Sequence, residues 1–196
     1  CPIIPVMDAI GTLKMLSSQM ELEHGEETPI NGRGGLDTGF AHSTTSKPAC
    51  FTPKERDSAF VHPAQLPNGK QILLLKTLLS SACERDCYYC PFRAGRDFRR
   101  ATFKPQEFAE LFMKLHQAKA AEGLFISSGI AAGGANTQNR ILDTAEILRK
   151  RMGYRGYLHL KIMPGAERGQ VERAMQLADR VSVNLEAPNT ERLARL

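Results

Sequence analysis

Residues 71–90 read QILLLKTLLSSACERDCYYC, and the order of the two halves decides the fold. The first half, QILLLKTLL, is a nearly unbroken apolar run of strand length. That is the pattern of a strand covered on both faces, as in parallel sheets flanked by helices. The second half gathers Cys83, Cys87 and Cys90 into eight residues and then adds no fourth cysteine nearby. A zinc or iron–sulfur centre held wholly by protein ordinarily takes four ligands. Three thiols leave one position for something else to bind.

Downstream, apolar strands alternate with amphipathic helices. Residues 105–121 predict a helix with Pro105 at its first position, where proline fits, and with Phe108, Leu111, Phe112 and Leu115 on one stripe. Gly123 reads as its stop, and LFISS as the next strand. A second helix is expected over about 139–152, with Ile141, Ala145, Leu148 and Met152 on one face and Gly153 after it. YLHLKIM follows as a strand, then a helix over 167–178, the strand RVSVNLE, and a fresh helix start at Thr190. Strands and helices in this alternation predict an α/β fold with a parallel sheet. A closed eight-unit barrel needs about 250 residues. The 196 residues therefore predict a partial (β/α) barrel, truncated after the fourth strand.

Residues 1–70 read as an N-terminal extension, partly disordered, and 71–196 as the core. The extension carries an amphipathic helix over about 6–22, then a Gly-, Ser-, Thr- and Pro-rich stretch with few aliphatics. Such a stretch buries too little apolar surface to offset its ordering entropy. The chain opens on Cys1 and closes on NTERLARL, and the expectation is a piece of a longer protein. No apolar run approaches the roughly 18 residues of a membrane helix. Five cysteines in a chain of this length make no disulfide scaffold, and three in one cluster favour metal binding in a reducing, cytoplasmic setting.

The spacing C-x3-C-x2-C, with the aromatic Tyr89 just before the last cysteine, resembles the signature of the radical S-adenosylmethionine (radical SAM) superfamily. The resemblance implies a [4Fe-4S] cluster held by Cys83, Cys87 and Cys90. Its fourth iron takes the amino and carboxylate groups of SAM, which is cleaved reductively to a 5′-deoxyadenosyl radical. It also implies a partial barrel with its chemistry at the carboxyl ends of the strands, and an electron donor of the flavodoxin or ferredoxin kind. In that frame the backbone at Tyr89 meets adenine. The segment SSGI (Ser127, Ser128, Gly129, Ile130) stands where the superfamily has a Gly-Gly-Glu-like turn, and its departure from that turn leaves hydroxyls and carbonyls in place of a carboxylate. NLEAPN resembles the fourth-strand segment that meets the methionine and ribose groups, so Asn184 and Glu186 are candidate SAM contacts. Both fall on one strand face at i and i+2; the bland alternative for Glu186 is a solvated strand end. Lys161, alternating with His159, serves SAM or a plain salt bridge.

More narrowly, residues from about 63 onward are similar to a group of radical SAM proteins named for DNA modification or repair. That group is associated with a uracil-DNA-glycosylase-like partner or carries helix-hairpin-helix elements beyond the barrel. Between Pro91 and Lys104 lie Arg93, Arg96, Arg99, Arg100 and Lys104 against Asp97 alone, +4 of the chain's net +5. Phe92, Phe98 and Phe103 are interleaved. Cations with aromatics suit a nucleic-acid backbone and stacked bases, and the four arginines are candidate nucleic-acid contacts. The alternative is a solvated charged turn whose phenylalanines pack on the fold. A rival for the whole chain is a non-enzymatic nucleic-acid-binding module with a structural zinc or iron–sulfur site, its fourth ligand a distant Cys50 or His62.

Overall fold

The computed structural model describes residues 9–20, 61–66, 69–97, 99–185, 189 and 191. They form a five-stranded mixed sheet with helices. In chain order these are α1 (Ala9–Met20), β1 (Val61–Gln65), β2 (Gln71–Leu78), α2 (Pro105–Gln117), β3 (Gly123–Ser127), α3 (Gly134–Glu146), β4 (Leu158–Lys161), α4 (Arg168–Leu177) and β5 (Arg180–Ser182). The strands lie in sequence order across the sheet. β1 runs antiparallel to β2, and the four from β2 to β5 are parallel. The α/β reading therefore holds for the sheet. Barrel closure is not seen among the described residues. No helix of the described residues is long and apolar enough to cross a membrane.

The register sorts the strand residues onto two faces. Leu75, Leu124 and Leu158 form one row, and Ile126, Leu160 and Val181 the next along the same face. These pack in one continuous core with Leu13 and Leu16 of α1, Phe108 and Phe112 of α2, and Ile141 and Leu148 from the α3 stretch. Strand side chains alternate faces. Lys76, Phe125, His159 and Arg180 accordingly form a row on the opposite face. That face keeps only a small apolar cluster of Ile72, Leu74 and Phe125.

Several element boundaries depart from the sequence reading. First, the sheet begins at Val61, inside the segment read as an extension. VHPAQ neither alternates nor runs apolar, and its proline argues against a strand. Second, α2 stops before Gly123. Lys119 takes a left-handed φ of 58°. Its N–H donates to His116 O at 3.0 Å, and that of Ala120 to Leu115 O at 2.9 Å. This is the Schellman stop, with lysine where glycine usually sits. Gly123 instead opens β3, where an added Cβ would press on Ile72 Cδ1 at 2.9 Å. Lys119→Gly is expected to raise stability by about 1 kcal/mol, since a β-carbon costs that much in the left-handed region. An unchanged or lowered thermal midpoint would show that the lysine stem supplies compensating contacts. Third, β5 ends at Ser182 rather than continuing through NLE.

α3 also starts at Gly134, earlier than its apolar stripe suggests, and runs into a π-helical turn over Ile147–Arg151. From this turn Arg149 reaches the segments that lead into β4 and β5. Its guanidinium donates to Leu177 O at 2.8 Å, Tyr154 O at 3.0 Å, Gly156 O at 2.9 Å and Asp179 Oδ2 at 2.7 Å. The expected apolar stripes of α2 and α3 are the faces that are buried, apart from half-buried Leu115 and Met152 at their ends.

Candidate functional site

The cysteine loop leaves the carboxyl end of β2 and is sealed at its base by a short antiparallel return. Ser81 N–H donates to Ala101 O at 2.9 Å and Phe103 N–H to Leu79 O at 2.9 Å. The hydroxyls of Ser80 and Thr102 lie 2.6 Å apart. Phe92 and Phe103, two of the interleaved aromatics, are buried and anchor the loop to the core. Packing therefore accounts for them. Phe98 lies outside the described residues.

Within the loop Cys83, Cys87 and Cys90 are half-buried free thiols. Cys90 N–H donates to Cys87 O at 3.0 Å, a turn that folds the second and third cysteines back on one another. Cys83 and Cys90 rest against the core. Tyr88 and Tyr89 stand 72% and 57% exposed, so aromatic surface borders the thiols. Among the described residues no group of three or more His, Cys, Asp or Glu side chains is arranged as a metal-ion site. In donor chemistry the loop fits: three soft thiols on one short loop, none in a disulfide, suit iron–sulfur ligation.

The turn after β3 lies directly against this loop. Gly129 N–H donates to Ser80 O at 2.7 Å, and Glu84 N–H to Ile130 O at 2.7 Å. Gly133 N–H, at the start of α3, donates to Glu84 Oε2 at 3.2 Å. An added Cβ at Gly129 would sit 2.5 Å from Ala82 O and 3.2 Å from Cys83 Cβ, so only glycine permits this approach. Gly134 meets the loop after β4 in the same way, against Pro164 O. The loops following β2, β3 and β4 are thus knit together at one end of the sheet. Glu84 is a tie that sequence reading missed, because a lone carboxylate between cysteines carries no pattern.

The remaining candidates are distributed unevenly. Ser127 and Ser128 are buried, and Ser128 Oγ donates to Gly129 O at 2.8 Å. Asn184 follows the end of β5 and is exposed, as are its neighbours Val183 and Leu185. The same-face argument from strand alternation therefore does not apply to it. Glu186, Cys50 and Thr190 lie outside the described residues. Of the arginines, Arg96 and Arg99 are exposed. Arg93 lies over the Tyr88 ring at 5.3 Å and 3.7 Å from Asp86. Arg100 turns back into the loop: Nη1 donates to Ser81 O at 2.7 Å and to Phe92 O at 2.8 Å, and Nη2 to Arg93 O at 2.9 Å.

The sheet face opposite the helices carries its own electrostatics. His159 is buried, packs its ring tilted against Phe125 with centroids 4.6 Å apart, and shares a 2.8 Å hydrogen bond with Ser182 Oγ. Burial first, then the charges of Arg180, Lys76 and Lys161, push its pKa from 6.5 down to about 4. Lys161 is itself buried. The signal for this cationic row was the lone Lys76 within an apolar strand and Arg180 opening another. His159 is neutral in the folded chain near neutral pH, while the unfolded chain takes up a proton below pH 6.5. Stability is therefore fully present above that value and falls as pH drops from 6.5 toward 4, by at most about 1.4 kcal/mol per pH unit. His159→Gln is expected to flatten the slope in urea midpoints measured across that window. The same slope in parent and variant would assign the acid sensitivity to other groups.

No protein-family model and no curated protein matches the chain.

Proposed function

We propose that the chain is the core of a radical SAM enzyme, with Cys83, Cys87 and Cys90 as ligands of a [4Fe-4S] cluster. The observation that carries this reading is the three-thiol loop at the carboxyl end of the first parallel strand, where α/β folds of this type keep their chemistry. When bound, the cluster and SAM supply one-electron chemistry that side chains cannot. This chain's own residues hold, orient and enclose. The sealed base of the loop fixes where the thiols stand, the Gly129 turn closes against it, and buried Phe92 and Phe103 exclude water beneath. The partial barrel belongs to the same proposal, with β2 to β5 as its first four strands. An electron donor of the flavodoxin or ferredoxin kind is its expected partner.

The decisive experiment is anaerobic reconstitution with iron and sulfide. A brown protein whose absorption near about 400 nm shifts on adding SAM, and which yields 5′-deoxyadenosine under reduction, supports the enzyme. A colourless protein with stoichiometric zinc supports the rival binding module instead.

The substrate class proposed is nucleic acid, supported by exposed Arg96 and Arg99 in the basic stretch and by Arg93 lying over the exposed Tyr88 ring. Affinity for duplex DNA should then fall with salt with a log–log slope of about −0.9 per phosphate neutralised. The double variant Arg96→Gln/Arg99→Gln is expected to lessen that slope by up to about 1.8. An identical slope and affinity in parent and double variant would remove these arginines from the nucleic-acid surface.

A further inference from the structure

We propose that Arg100 is the positioning residue of the three-cysteine loop, a clamp that holds its entering and leaving strands at a fixed spacing. The guanidinium bridges Ser81 O on one side to Phe92 O and Arg93 O on the other, at 2.7, 2.8 and 2.9 Å. Ser81 stands just before Cys83, and Phe92 and Arg93 stand just after Cys90. The cation thus spans the mouth of the loop and not its tip. Arginine suits the task because its rigid planar fork can serve several carbonyls at once, which a lysine ammonium on a flexible stem does less well.

Other parts of the molecule make the clamp's contribution specific. The backbone pairing of residues 79–81 with 101–103 already closes the loop at its root. Beyond that root, Arg100 ties the outgoing segment at 92 and 93 back to Ser81. Farther out the loop relies on the Glu84 bond to Ile130 O and the 2.7 Å bond from Ala94 N–H to Arg85 O. Without Arg100 the root stays closed while the outgoing segment after Cys90 loses its tie to Ser81 and keeps the Ala94–Arg85 bond to the segment carrying Cys83. The basic stretch after the cysteines is then divided in purpose: Arg100 faces inward to shape the loop, and exposed Arg96 and Arg99 face outward.

The clamp's role toward a cluster rests on the reading of the loop as a radical SAM site, and the test separates the two. In the full metal-free chain, Arg100→Gln is expected to speed hydrogen exchange at the amides of residues 84–94 about tenfold or more, with β3 and β4 unchanged. Arg100→Lys is expected to fall between parent and Arg100→Gln, and carries the comparison if the glutamine variant fails to fold. After reconstitution with iron and sulfide, the variants should hold less iron and show an altered electron paramagnetic resonance line shape and midpoint potential. Unchanged loop exchange in both variants overturns the clamp, whatever the metal does. Faster loop exchange with the parent's iron content, spectrum and potential overturns its role toward the cluster. A parent that takes up no iron defeats the cluster reading, and the exchange measurement still decides the clamp.

Discussion

Alanine at Cys83, Cys87 or Cys90, one at a time, is expected to abolish uptake of iron and sulfide, while Cys50→Ala leaves it at the parent level. Each of the three is a half-buried free thiol on one sealed loop. Removing one leaves two ligands, too few for a site that already reserves a position for something other than protein. The fold should survive, because trimming a half-buried thiol to a methyl costs on the order of 1 kcal/mol or less. Loss of iron with an unchanged thermal midpoint is therefore the expected pair of results. Serine at the same positions repeats the test with a side chain of nearly the same size. Full iron content in any of the three variants would overturn the ligand assignment, and so would its loss in Cys50→Ala.

Arg149→Ala is expected to lower stability by about 2–4 kcal/mol, because three carbonyls lose a charged donor while Asp179 is itself half exposed and adds little. The side chain is 12% exposed and serves three carbonyls and Asp179. Its loss leaves Tyr154 O, Gly156 O and Leu177 O short of a donor at the junction of the π turn, β4 and α4. Asp179 keeps its 2.8 Å bond from Leu158 N–H, so the damage is concentrated at the carbonyls. In a chain of this length the thermal midpoint should fall by roughly 10 °C. A shift of a degree or two would mean that water replaces the guanidinium and that the junction is wetter than its packing implies.

How much of this was legible in the sequence depends on whether the cause was periodic. The parallel sheet and the stripes on α2 and α3 follow from repeats of two and 3.6, which burial enforces, and these appear in the fold. The stop of α2 follows from one residue's φ, and Lys119 does not advertise a left-handed conformation as glycine does. β1 is held by pairing to β2 rather than by its own pattern, so VHPAQ gave no local sign of it. At the site, the thiols and their loop were legible because cysteines in tight spacing carry chemistry by themselves. The inward turn of Arg100 and the tie at Glu84 were not, since in sequence both are ordinary charges in a charged stretch.

Pro63 makes the two edges of the described sheet unequal. Leu73 spends its N–H on Glu122 Oε2 and its carbonyl on Glu122 N–H, both on the β3 side. Its antiparallel partner Pro63 is therefore in a non-hydrogen-bonded pair, with its own polar groups turned away from β2. The nitrogen on that outer rim bears no hydrogen. A strand arriving from another copy would meet a gap in the ladder there, which is how natural edges resist being used as templates. Along β5 no proline stands guard, and its three residues carry every donor. Among the described residues β1 and β5 are the two edges, and self-association through β1 is discouraged by a single missing proton.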